Sequence, residues 1–221
     1  MPDLGALGPS LAVGLVLVVM LWFTFGTQRN IRKGNEVLRW LRDALPMLGP
    51  RTTLRWLGSS AVELGISEGT DPFRDVTIVV VLEPRDVGLL WAWARSRGRR
   101  DFVIVRGNLR RAPTGTVEIA DPRGWTGRLD GPDESGWRSL RSPGGGIVAR
   151  AAGTIDDRAA LDAWQRLDHA SGGVWRLTVQ PVVPHIEVHV RPPDLARVPA
   201  QRLVSAVRDL AGHVSREPRT R

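Results

Sequence analysis

Residues 11–25, LAVGLVLVVMLWFTF, contain no charged side chain, and the uncharged window around them extends from Leu4 to Gln28. At 1.5 Å of rise per residue, about 20 helical residues cross the roughly 30 Å hydrocarbon core of a bilayer, so this window predicts one membrane helix. A cleavable signal opens with basic residues and closes on small ones. Here only Asp3 precedes the apolar run, which ends Trp22, Phe23, Thr24, Phe25, so it reads as an uncleaved anchor. Arg29, Arg32, Lys33, Arg39 and Arg42 follow within the distance over which positive charge selects the cytoplasmic side. The expected arrangement is a single-pass protein of the cell membrane, its N-terminus outside and its main domain cytoplasmic. Ala6, Ser10 and Gly14 recur every fourth residue, a spacing that lets two helices approach and self-associate.

The chain has 221 residues, and all 31 of its basic residues follow Gln28. Asp3 is the only acid before that point, so the part beyond the anchor is more basic than the net charge of +8 suggests. With no cysteine there is no disulfide framework, thiolate metal site or cysteine nucleophile, which suits a reducing compartment. Lys33 is the single lysine among these cations. An arginine skew of that kind reads as a compositional trait of the chain rather than as a nucleic-acid footprint.

Past the anchor, Val37, Leu38, Leu41, Ala44 and Leu45 fall at helical spacings and predict an amphipathic helix ending near Pro46 and packing on the domain. Thr53 to Leu57 and Ala61 to Ile66 flank Gly58-Ser59 as a hairpin. Val76 to Leu82 is a β-branched run, the pattern of a buried strand. A helix from about Asp86 follows, with Leu89, Leu90, Trp93 and Ala94 on one side and Gly98 closing it. Strands at Phe102 to Arg106 and Thr116 to Ala120 complete a βαββ unit. Residues 123–146, with Gly131-Pro132-Asp133 and a Gly144 to Gly146 run, read as a connecting loop, and Trp125 and Trp137 leave a flap open as its role.

A second βαββ pattern comes after it: a strand at Ile147 to Ala152, a helix from Asp156 with Leu161, Trp164 and Leu167, and strands at Val174 to Val179 and Ile186 to Val190. An offset of 71 residues pairs Asp86 with Asp157, Leu90 with Leu161, Trp93 with Trp164 and Val103 with Val174. The expected fold class is therefore α+β: an N-terminal transmembrane helix, then a soluble domain of two βαββ repeats resembling the ferredoxin-like arrangement, with flanking helices. The expected boundaries are 1–28 for the anchor, 29–122 for the juxtamembrane helix, hairpin and first lobe, and 123–146 for the linker. The second lobe with a last helix from Pro199 fills 147–214, and 215–221 is a tail.

Two constellations carry possible chemistry. His185, Glu187 and His189 alternate on one strand and so project from one face, as a divalent-metal site would require, with His169 the nearest further donor in sequence. The simpler expectation is that Ile186, Val188 and Val190 are buried and the polar set is the strand's solvated side. Arg95, Arg97, Arg99, Arg100, Arg106, Arg110 and Arg111 crowd into one stretch with Asp101 as the sole acid. The default reading of this cluster is a solvated basic face; for a bound partner of Arg97, Arg99 and Arg100 together with Arg29, Arg32 and Lys33, anionic lipid comes first, because an anchor sets the domain beside a bilayer. Nucleic acid ranks lower. No phosphate-binding loop, dinucleotide fingerprint, nucleophile elbow or HExxH pair occurs. The expected function is that of a membrane-anchored domain that binds or scaffolds a protein partner, without catalysis or cofactor. The rivals are a metal-dependent hydrolase using His185, Glu187 and His189, and a membrane-tethered nucleic-acid-binding domain.

Overall fold

The computed structural model describes residues 4–129, 136–142 and 144–215. Its first element, α1, runs unbroken over Leu4–Arg42. The apolar window and the expected juxtamembrane helix are thus one rod, about 58 Å long at 1.5 Å per residue. Within it, Gly8–Arg42 is long and apolar enough to cross a membrane. Every residue from 8 to 25 is exposed, and burial starts at Gly26 and recurs at Asn30, Gly34, Val37 and Leu41. That spacing of three and four puts one stripe of the inner half against the domain. A short 3-10 turn at Leu45–Met47 then leads into the sheet.

Among the described residues nine strands form one antiparallel sheet: β1 (Arg51–Trp56), β2 (Ala61–Ser67), β3 (Phe73–Val81), β4 (Phe102–Leu109), β5 (Gly115–Ala120), β6 (Arg138–Ser139), β7 (Val148–Gly153), β8 (Val174–Val179) and β9 (Ile186–Val190). Their spatial order is β1-β2-β3-β4-β9-β8-β5-β7-β6. Between β3 and β4 lies α2 (Gly88–Ser96); α3 (Asp157–Ala170) joins β7 to β8, and α4 (Ala200–Val214) follows β9. The hairpin, the β-branched strand and the last helix occur where their patterns predict them. The loop over 123–146 also supplies β6, a two-residue edge paired to Ala151 and Arg150.

Side-chain alternation divides the sheet into two faces. Val62, Leu64, Ile78, Val80, Val105, Val117, Ile119, Leu177 and Val188 join one buried cluster with Val37 and Leu41 of α1, Trp164 and Leu167 of α3, and Leu203, Val207 and Leu210 of α4. The Asp156 side chain caps α3 by accepting the Ala159 amide at 3.0 Å. The opposite face carries a polar row that crosses the whole sheet: Thr53, Gly65, Thr77, Arg106, Glu187, Thr178, Glu118, Arg150 and Ser139 are successive register partners.

The repeat expected from the 71-residue offset takes two different forms. Around α3, β7 and β8 both pair with β5 and lie on either side of it, a split β-α-β connection. Around α2, β3 and β4 pair directly with each other. The β9-β8 pair also sits between β4 and β5, so strands of the two expected lobes interleave in one sheet. The helices diverge accordingly: Trp164 is 2% exposed on the core side of α3, whereas Trp93 is 51% exposed. The offset that pairs Trp93 with Trp164 therefore does not give them equivalent surroundings, because α2 spans a direct strand-to-strand turn and has no strand to cover.

Candidate functional site

On β9 the expected solvated face is largely covered. His185 and His189 are each only 7% exposed. Phe102 stacks on His189 with ring centroids 6.1 Å apart and meets Trp175 at 5.3 Å. The three polar side chains do not converge on one point. Nδ1 of His185 accepts the Leu109 amide at 2.9 Å, and burial, aided by the positive Arg74, pushes this imidazole's pKa down. Nε2 of His189 lies 2.9 Å from Glu187 Oε1, while Arg106 Nε donates to Glu187 Oε2 at 2.6 Å.

The His189 hydrogen bond is the main cause that holds the Glu187 carboxyl down at about 2; burial opposes it and Arg106 adds to it. Among the described residues Nδ1 of His189 is buried without a hydrogen-bond partner. His169 stands on α3 with its ring against the Gln165 carbonyl, remote in the fold from this pair. Among the described residues no three His, Asp or Glu side chains gather as metal ligands. What β9 builds is a cross-strand Arg-Glu-His relay within the polar row, continued by Arg150 on Glu118 at 2.6 Å.

The basic stretch and the inner half of α1 meet at a second, denser constellation. Glu83, at the end of β3, is 2% exposed. It accepts from Trp91 Nε1 at 2.6 Å and from Arg95 Nη1 at 3.0 Å. Arg85 clamps Asp101 through two bonds of 3.0 and 2.9 Å and also reaches Asn30 Oδ1 at 3.0 Å. Asn30 in turn donates to the Glu83 carbonyl at 3.1 Å. Buried charges of this kind persist only when partnered, and here every one is.

Gly26 and Gly34 make the docking possible. A Cβ at position 26 would overlap the Arg85 carbonyl, and one at position 34 the Trp56 ring. Trp22 Nε1 donates to that same Arg85 carbonyl at 3.0 Å, and its ring meets Trp91 at 6.3 Å. Thus α2 is fastened to α1 at the level of Trp22 to Gly26.

Fastened there, α2 turns its apolar side away from the domain. Ala94 is its one buried residue, while Leu89 is 90% exposed and Val87, Leu90 and Trp93 about half exposed. The cations expected to meet an anionic surface divide into two groups. Arg97 lies over the Trp93 ring at 5.1 Å, Arg99 reaches the Leu82 carbonyl at 3.4 Å and Arg100 the Arg95 carbonyl at 3.0 Å. Lys33 pairs with Glu36 at 2.8 Å, whereas Arg29 and Arg32 are exposed and make no hydrogen bond or ion pair among the described residues.

Sequence reasoning missed the Gly26, Asn30, Gly34 seam. Its signal was present, small residues four apart continuing directly from the apolar window, but the window's end drew the reading toward a boundary instead. It also missed Glu83 and Arg85, which no motif marks. Compared with protein-family models and with curated proteins, the chain has no match.

Proposed function

We propose that this chain is a single-pass membrane protein whose α1 crosses the bilayer with its outer half and holds the sheet domain at the cytoplasmic face, where the domain binds or scaffolds a partner and performs no catalysis. One observation carries the reading. Along an unbroken helix, exposure on all sides over residues 8–25 changes at Gly26 to a single docked stripe, and α2 holds an exposed apolar side at that same level. A helix apolar all round is suited to lipid, and a short amphipathic helix beside it is suited to the headgroup boundary. Trp22, Trp93 and Arg97 fit that boundary, where aromatic rings and cations concentrate. For a partner, β1 offers a sheet edge that pairs on one side alone, with Leu54 half exposed.

The absence of cysteine provides the test. Arg141, exposed in the loop before β7, is replaced by cysteine in the otherwise cysteine-free chain. In intact cells an impermeant maleimide should leave Arg141→Cys unlabelled, and it should label it after permeabilisation. The chain should also resist extraction by alkaline carbonate. Labelling in intact cells, or release by carbonate, overturns the reading.

A further inference from the structure

We infer that the groove between α1 and α2 is a binding site for one anionic phospholipid of the inner leaflet. The inference rests on α1 spanning the bilayer as proposed above. The groove encloses about 740 Å³ between Val18, Leu21, Phe25 and Arg29 of α1 and Trp91 and Arg95 of α2. Its lining is sorted along the helix axis, apolar at Val18, Leu21 and Phe25 and cationic at Arg29 and Arg95.

These α1 residues follow spacings of three and four, one stripe of the helix. From Val18 to Arg29 the stripe spans about 16 Å. That is half of the roughly 30 Å hydrocarbon core, the depth of one leaflet. An acyl chain along the apolar part brings its phosphate to the arginines, so the groove matches a whole lipid rather than a free phosphate, which would leave the deeper part empty.

The walls are built and charged for this occupant. Trp22 and Trp91 are fixed by hydrogen bonds to the Arg85 carbonyl and the Glu83 carboxylate. Arg85 is consumed by Asp101 and Asn30. The hydrogen bonds of Arg95 all leave from Nη1, and Arg29 makes none among the described residues. Two guanidinium groups with unused donors at the mouth of an apolar slot complement a phosphodiester. Both surfaces continue the lipid-facing side of α1, so a bilayer fills the slot from its open side.

The test uses the full chain in nanodiscs of phosphatidylcholine with one fifth phosphatidylglycerol, released into detergent and weighed by native mass spectrometry. The wild-type chain should retain one phosphatidylglycerol in preference to phosphatidylcholine. Arg29→Gln should lower that retention about fivefold, the effect of one surface cation on an anionic lipid. Val18→Trp, which fills the apolar end without touching charge, should lower it as well. Arg32→Gln, outside the groove, should leave it unchanged.

Equal retention of both lipids by the wild-type chain overturns the site, as does an Arg32→Gln loss equal to that of Arg29→Gln. Carbonate extraction of the same variants separates the two readings. If the variants stay membrane-bound with unaltered lipid retention, the groove fails and the anchor stands, whereas release of every form means that the anchor itself has failed.

Discussion

Glu187 is held between His189 on its own strand and Arg106 across the ladder, and acid titration should report this. Its folded value of about 2 lies below its ordinary 4.5, so on acidification the unfolded chain takes up this proton first. The carboxylate's contribution is therefore complete above about pH 4.5 and is lost as the pH falls toward 2. Glu187→Gln should flatten that part of the stability profile and lower stability at pH 7 by about 1–3 kcal/mol, measured by urea unfolding of the detergent-solubilised chain at a series of pH values. His185 adds to acid sensitivity in the same direction: burial lowers its pKa in the fold, so on acidification the unfolded chain takes up this proton more readily than the folded one. At this scale the alternation of β9 was legible, but its surroundings were not. Phe102, which stacks on His189, comes from a strand far off in sequence, and period-two patterning says nothing about which side chains a neighbouring strand contributes.

Among the elements, α2 shows the limit of periodicity as a signal. Leu89, Leu90, Trp93 and Ala94 announce an apolar neighbour, and the sequence pattern alone assigns that neighbour to the sheet. A bilayer satisfies the same pattern. The bilayer is favoured in the proposal because Gly26 and Trp22 fasten α2 beside α1, a contact between residues more than sixty positions apart. A spin label on Leu89→Cys, in nanodiscs, should therefore relax readily with oxygen and poorly with a water-soluble nickel chelate. A label on Arg141→Cys should show the reverse. Strong nickel accessibility at position 89 would mean that this face stays in water. Strands β2 and β3 were legible because alternation and β-branching are local properties. The two-residue β6 was not, since it exists only by pairing with β7.

For the whole molecule, sheet order decides how the chain folds. Because β9 and β8 insert between β4 and β5, neither half of the sequence contains a complete sheet. Expressed alone, residues 29–122 and residues 147–221 should each lack a cooperative unfolding transition, while co-expression should restore one. Circular dichroism during urea unfolding measures this, and two independently folding fragments would contradict the interleaved order. Local patterns named most of the strands but carried no information on their neighbours. The 71-residue offset suggested duplicate lobes, where pairing across the two halves makes a single core.

If α1 crosses a bilayer as proposed, its passage from the exposed half into the domain, with no break at Gly26, makes the bilayer normal a coordinate axis for the sheet. A soft linker would average out any tilt, roll or vertical shift of the span; a rigid shaft delivers each of them undamped to all nine strands. One residue added between Trp22 and Gly26 would turn the outer half by about 100° against the domain and shift it about 1.5 Å, carrying Trp22 off the Arg85 carbonyl. On the proposed reading the apolar window sets an angular phase as well as a thickness, and that phase decides which way the polar row of the sheet looks along the membrane.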